Sequence, residues 1–242
     1  MNPEQNNPPC KAMILAAGLG TRLRPVTDSI PKALVKVGGR TLLEGAILHL
    51  AEFGVKEIVV NVHHFADQVI RYLSQNGNFG IKITISDERE QLLDTGGGLK
   101  KASWFFAGEQ PFFVRNVDII SDLDLSRLME FHLHSHAIAT LASRKRETSR
   151  YFLFDEDHRL CGWTNLKTGE KILVRGSTSD TEMLAFSGIQ VLHPDIFPLM
   201  TETGRFSLTA LYLRLAQDHL INGFVDNDSN WKDVGKSPED LK

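Results

Sequence analysis

Only two cysteines, Cys10 and Cys161, occur in 242 residues. That is too few for a disulfide framework or a cysteine-built metal quartet, and the scarcity suits a reducing compartment. No run approaches the roughly 20 apolar residues of a membrane span. Residues 1–9 are polar and proline-rich rather than an apolar signal segment, so the sequence predicts a cytoplasmic protein with no membrane partner. A basic surplus is missing too. With 27 Lys and Arg against 30 Asp and Glu, the net charge is −3, which excludes a nucleic-acid surface and makes any cluster of cations local. No internal repeat is present. What remains is an ordinary globular composition, 42% hydrophobic and 24% charged, long enough for one large domain.

The most informative stretch covers residues 12–37. Met13, Ile14 and Leu15 read as a buried strand that runs into Ala16-Ala17-Gly18-Leu19-Gly20-Thr21. Gly18 and Gly20 permit positive φ and let a ligand lie on the backbone, and successive amides in such a turn form a concavity for anions. Arg22, Arg24 and, after Pro31, Lys32 add three cations to the loop. Alone, a G-x-G suits an ordinary strand-to-helix turn equally well. No G-K-[ST] follows, so this is not a P-loop, and the third glycine of the dinucleotide fingerprint is absent.

Along the chain, Thr41 is a plausible N-cap, and Leu42, Leu43, Ala46, Ile47, Leu50 and Phe53 recur at helical spacing. Strands are expected at 57–62, 81–85, 111–114, 137–143, 184–192 and 221–226. Helices are expected at 67–73, 96–106 and around Leu208, Leu211 and Leu215. Strands alternating with helices imply an α/β fold with a mainly parallel sheet. The rhythm breaks at 144–182, a polar, turn-rich segment whose two short strands (151–154 and 160–164) read as a β-hairpin insertion. Residues 1–10 read as a disordered arm, and Ser237-Pro238-Glu239 as the start of a helix.

Three further motifs carry chemistry. Thr95-Gly96-Gly97-Gly98 opens a helix at a cost in backbone entropy, which suits a place where something comes close to the backbone. Asn116-Val117-Asp118 ends an apolar strand, where open α/β sheets place ligands, though the pair also suits a simple Asx turn. Asp233 stands in Trp231-Lys232-Asp233-Val234-Gly235, by itself an unremarkable loop carboxylate. Asp122 and Asp124 read as capping or solvated groups. His132, His134 and His136 read as surface residues near a helix C-terminus rather than a metal site.

The string A-A-G-L-G-T-R-L-R-P-V-T followed by Pro31-Lys32 resembles the signature of the sugar-phosphate nucleotidyltransferases, and the likeness runs from Lys11 to the end. The resemblance implies a Rossmann-like, mixed and mainly parallel sheet flanked by helices, with residues 11–242 as one domain and 144–182 on the sugar side. It implies an NTP, held by Ala16, Ala17, Gly18, Gly20, Thr21, Arg22, Thr95, Gly96 and Gly97, and a sugar 1-phosphate, contacted by Asn116, Arg150, Asn165 and Gly188. Mg²⁺ would sit on Asp118 and Asp233, and Arg22, Lys32 and Asp118 would carry catalysis. The family usually has glycine where this chain has Val117, and many relatives have a Glu-Lys pair where Asn165 stands. Short length, the L-x-T-G-G-G loop and Phe186-Ser187-Gly188-Ile189 point to the branch of N-acetylmuramate 1-phosphate uridylyltransferases. Mannose- or heptose-1-phosphate guanylyltransferases, phosphocholine cytidylyltransferases and a non-catalytic nucleotide sensor share that architecture. No fused acyltransferase module is expected, and the assembly is expected to be a monomer or small homo-oligomer.

Overall fold

The computed structural model describes residues 11–108, 110–177 and 180–235. The expected N-terminal arm and the helix start at Ser237-Pro238-Glu239 lie outside the described residues. Strand β1 (Lys11–Leu15) is the axis of a ten-stranded sheet. It pairs in parallel with β4 (Glu57–Val62) on one side and β6 (Phe112–Asn116) on the other, and β4 pairs in parallel with β5 (Lys82–Asp87). Alternate residues of β1 enter opposite cores: Ala12 and Ile14 one, Met13 and Leu15 the other. Both faces are covered, which is why β1 reads as a continuous apolar run rather than an alternating one.

The first core is closed by helices α1 (Leu42–Glu52), α2 (Ala66–Gln75) and α4 (Leu125–Ser135), the second by α3 (Asp94–Lys101) and α5 (Leu208–Leu215). Caps begin two of these helices as their sequences predict. Thr41 accepts from the Glu44 amide at 3.1 Å, and Asp124 accepts from the amides of Ser126 and Arg127, each worth about 1 kcal/mol. The helix expected at 96–106 is shorter, because α3 ends at Lys101 and a 3₁₀ turn, Ser103–Phe106, completes it.

Beyond β6 the sheet turns antiparallel. The long strand β12 (Glu182–Leu192) bridges its parts, pairing with β6 and with β8 (Ala139–Arg144), and through residues 182–184 with β9 (Arg150–Phe154). The insertion holds three strands, not two: β9, β10 (Leu160–Asn165) and β11 (Glu170–Leu173) continue the sheet as an antiparallel meander. Strand β13 (Ile221–Val225) adds in parallel to β8.

Two small sheets escape the sequence reading. Strands β2 (Lys36–Val37) and β3 (Arg40–Thr41) form a hairpin around Gly38-Gly39, and β7 (Ile119–Ser121) pairs antiparallel with β14 (Trp231–Asp233). Two- and three-residue strands carry no periodicity to read. The second of these sheets nevertheless matters most, because it carries the end of the described chain to the end of β6. Among the described residues no helix is long and apolar enough to cross a membrane.

Candidate active site

The carboxyl ends of β1, β4 and β6 lie side by side, with Leu15 in register with both Asn61 and Asn116. Two cavities open there. The smaller, about 240 Å³, is lined by Ala17, Gly18, Lys32, Thr95, Asn116 and Asp118 among others. The larger, about 770 Å³, shares Asp94, Thr95 and Asn116 with it and extends over the insertion past Arg150 and Trp163. One continuous cleft thus joins the glycine loop to the inserted strands.

Lys32 reaches this cleft through a 3₁₀ turn, Lys32–Leu34, that begins after Pro31. Its ammonium is ion-paired with Asp118, and both side chains are nearly buried, 10% and 15% exposed. The C-terminal loop closes over the pair. Register sets Asp233 opposite Ile119, the Val234 amide donates to the Asp118 carbonyl at 3.0 Å, and the Gly235 amide donates to Asp233 Oδ1 at 3.0 Å. A Cβ on Gly235 would strike both Lys32 Nζ and Asp118 Oδ2, so glycine is the residue that fits over the pair. Tertiary structure therefore sets the backbone of residues 233–235 against that of Asp118 and Ile119.

That loop is anchored from the insertion side. Arg144 Nη2 donates to the Ser229 carbonyl at 2.8 Å, and the Arg146 guanidinium lies 4.3 Å from the centre of the Trp231 ring. The Trp231 indole donates to the Ser187 carbonyl at 2.8 Å. Asp122 accepts two bonds from Asn230, a structural role. Among the described residues no group of three or more His, Cys, Asp or Glu could hold a metal. Two carboxylates with substrate phosphates are, however, the usual protein share of a Mg²⁺ site.

Beneath Asp118 the strand β6 carries Arg115, buried to 2% exposure. Its Nη2 donates to the Ile119 carbonyl at 2.6 Å and its Nη1 to His49 Nδ1 at 2.7 Å. His49 then donates from Nε2 to the Leu123 carbonyl at 3.0 Å. Burial holds the guanidinium down to about 10, opposed by the Asp118 charge, and burial with Arg115 holds His49 down to about 4. Arg115 therefore braces the turn that presents Asp118. Val117, in place of the usual glycine, is 4% exposed and packs in the core with Val234 while still lining the smaller cavity.

Several predicted contacts fall elsewhere. The amides of Ala16 and Ala17 both donate to Asn61 Oδ1, at 2.7 and 3.3 Å, so these two amides are engaged by the protein itself. Around Gly18 no atom lies within 4 Å of a built Cβ. Gly20 is left-handed (φ +66°) and packs on Thr27. Thr21 and Arg22 are exposed in the turn Thr21–Leu23, and Arg22 lines the larger cavity. Arg24 turns away to pair with Asp28 at 3.2 Å, which leaves Arg22 and Lys32 as the cleft's cations from this loop.

The glycines of the second loop serve the protein itself. Gly96 and Gly97 donate to the Phe206 carbonyl at 2.9 and 3.2 Å, and a Cβ on Gly96 would sit 2.5 Å from the Phe206 ring. Thr95 lines both cavities, and its hydroxyl accepts from the Leu208 amide at 2.9 Å.

On the sugar side, Asn116 and Arg150 face the larger cavity. Asn165 does not line it, because its Oδ1 accepts from the Lys167 amide and closes the β10–β11 turn; Trp163, on the same face of β10, lines it instead. Gly188 (φ +76°) sits at the irregularity of β12, and its Cβ position is filled by Ile119 and the Asn116 amide. The close approach there is to protein, and it places Asn116.

His132, expected on the surface, is 2% exposed and bonded to Thr140 Oγ1 at 2.9 Å. Residues lining the cleft that sequence reasoning missed are Asn61, Trp163 and Arg205. Only Asn61 left a signal, as a single amide inside the apolar run of β4.

A mixed, mainly parallel α/β sheet with a glycine loop at its axial strand and a lysine–carboxylate pair in the cleft at its carboxyl edge is the nucleotide-diphospho-sugar transferase fold. The family model for nucleotidyl transferases matches residues 11–241, and the chain belongs to that family. It is similar to N-acetylmuramate alpha-1-phosphate uridylyltransferase of Caulobacter vibrioides, 36% identical over 232 residues that span 93% of this chain and 91% of that one. Mannose-1-phosphate guanyltransferase of Yarrowia lipolytica is 33% identical over 96% of this chain, which covers 62% of that relative's length. Among solved structures, HddC from Yersinia pseudotuberculosis complexed with GMP-PN superposes with a TM-score of 0.77 at 24% identity, over 96% of both chains. The chain is thus an enzyme of the sugar-1-phosphate nucleotidyltransferase type.

Proposed function

We propose that the enzyme transfers a uridylyl group from UTP to a hexose 1-phosphate, N-acetylmuramate 1-phosphate foremost, releasing pyrophosphate in a Mg²⁺-dependent reaction. The observation that carries the reaction is the Lys32–Asp118 ion pair lining the glycine-loop cleft, with the backbone of residues 233–235 folded against it. The choice of UTP rests on end-to-end similarity. The uridylyltransferases of Caulobacter vibrioides and Neisseria meningitidis are matched over 91% and 93% of their lengths, whereas the guanyltransferase of Yarrowia lipolytica is matched over 62%.

A sugar phosphate oxygen, already ionised, attacks the α-phosphorus and the bond to pyrophosphate breaks, so no general base is required. Positioning and electrostatics supply the catalysis. Lys32 neutralises charge at the α-phosphate, Arg22 steadies the departing phosphates, and the amides from Gly18 onward lie against the nucleotide. Asp118 and Asp233 would hold Mg²⁺, which would supply positive charge to offset the phosphates. Lys32 then exchanges its bond to Asp118 for one to substrate. Residues 11–242 act as one domain, with the inserted strands lending Arg150 and Trp163 to the sugar.

The test is pyrophosphate release with each NTP against a panel of sugar 1-phosphates, with and without Mg²⁺. Turnover with UTP and N-acetylmuramate 1-phosphate is expected. Preference for GTP or CTP, or activity undiminished by a chelator, overturns the corresponding part of the reading.

A further inference from the structure

Asn61, which lines the smaller cavity, and Glu88, which lines neither, are polar side chains 2% and 0% exposed at the base of the cleft. Their bonds form one chain across the molecule. Asn61 Oδ1 accepts from the amides of Ala16 and Ala17, Asn61 Nδ2 donates to Glu88 Oε1 at 2.7 Å, and Glu88 Oε2 accepts from the Leu93 amide at 3.1 Å. Leu93 in turn accepts from the Phe206 amide at 3.2 Å. The two loops that flank the cleft, residues 16–18 and 93–95, are therefore bridged by these two side chains.

Gly98 shows how tightly the chain is built in. A Cβ there would come within 2.7 Å of Glu88 Oε1 and 2.9 Å of Asn61 Nδ2, which accounts for the third glycine of the second loop. Burial pushes the Glu88 carboxyl up, and the bonds from Asn61 and Leu93 draw it back. A buried polar chain of this kind is stable only when each donor faces an acceptor, since an unmet group costs far more than a made bond returns.

We propose that Asn61 and Glu88 are positioning residues for the nucleotide, a buried strut whose donor–acceptor order fixes the separation of the two loops and thereby sets NTP affinity. The proposal rests on the reading of these loops as the nucleotide cradle.

The order of donors can be reversed without changing shape. In Glu88→Gln, the new Nε2 faces either Asn61 Nδ2 or the Leu93 amide, donor against donor. In Asn61→Asp, the new oxygen faces Glu88 Oε1, acceptor against acceptor. The pair Asn61→Asp with Glu88→Gln restores every bond, because Gln donates to Asp and accepts from Leu93, while Asp accepts from Ala16 and Ala17.

At pH 8, each single variant is expected to raise the KM for UTP roughly tenfold or more, with a smaller change in kcat, as one unmet buried donor or acceptor implies. The double variant is expected to return to within about threefold of the parent. It is isosteric and keeps one carboxyl, so calorimetric UTP binding to it is measurable even where a single variant does not fold. A folded double variant that binds UTP more than about tenfold weaker than the parent overturns the strut, as do single variants with parental KM. A parent enzyme that binds no NTP overturns the nucleotide reading itself.

Discussion

Lys32 and Asp118, 86 residues apart in the chain, form a nearly buried ion pair with Gly235 packed over both. Each is the other's counter-ion before substrate arrives, so this pair is charge-balanced without phosphate. A buried pair broken on one side leaves an uncompensated charge, which bears on the Lys32 and Gly235 variants.

Lys32→Ala is expected to lower kcat by about a hundredfold, the size seen when an oriented electrostatic group is lost. Arg22 is exposed on its 3₁₀ turn and lines the larger cavity; if it holds the NTP phosphates equally in ground and transition states, Arg22→Ala should raise the KM for NTP with less change in kcat. Steady-state kinetics at saturating Mg²⁺ measure both. A parental kcat in Lys32→Ala would leave Lys32 as a structural partner of Asp118 only.

Gly235→Ala places a methyl group on the Lys32–Asp118 pair. Loss of most activity and a stability decrease of about 1–3 kcal/mol are expected, the usual range for overpacking. Urea unfolding and turnover are the measurements; full activity would show that the C-terminal loop stands away from the site in solution.

Gly18 and Gly96 have opposite surroundings. Gly18→Ala meets open space, so its melting temperature should stay within a degree or so of the parent while the KM for NTP rises. Gly96→Ala drives a methyl into Phe206 and should cost about 1–3 kcal/mol, a melting shift of several degrees. Equal behaviour of the two variants would contradict the assignment of Gly18 to ligand and Gly96 to protein.

Asp233→Asn removes one of the two carboxylates assigned to Mg²⁺. Turnover should fall by at least about a hundredfold and the Mg²⁺ concentration for half-activity should rise, with thermal stability nearly unchanged. Adding Asp118→Asn should cost little more, because groups acting as a unit are not additive. Unaltered Mg²⁺ dependence in Asp233→Asn removes it from the metal site.

His132 supplies a pH dependence. Burial holds its imidazole down to about 4 from an ordinary 6.5. As pH falls below 6.5 the unfolded chain takes up the proton first, so stability declines from pH 6.5 to about 4 and this contribution then levels off. His132→Gln should flatten the slope of unfolding free energy over that window by up to one proton, about 1.4 kcal/mol per pH unit. An unchanged slope would mean that His132 is protonated in the fold.

The parallel half of the sheet was legible because its strands are buried on both faces and its helices keep apolar residues in step; Thr41 and Asp124 mark helix starts by local chemistry alone. The glycine loop, Lys32 and the carboxylate at the end of β6 were legible for a related reason, since their spacing lies within single segments. Asp233 was named from a motif, but nothing local to residues 231–235 shows that they return to β7. That pairing is three residues long and forms between segments more than a hundred positions apart.

Short-range pattern, then, determined the fold class, the order of the elements and which loops hold the cations and glycines. Tertiary structure alone decided what each glycine faces. Gly18 looks into a cleft, while Gly96, Gly97, Gly98, Gly188 and Gly235 look onto Phe206, Gly204, Glu88, Ile119 and the Lys32–Asp118 pair. A glycine in a sequence does not say whether it is there for a positive φ or for a close approach, or what makes that approach. Whether ligand or protein fills the space depends on segments brought from elsewhere in the chain, and those approaches are made by packing, which leaves no trace in local composition.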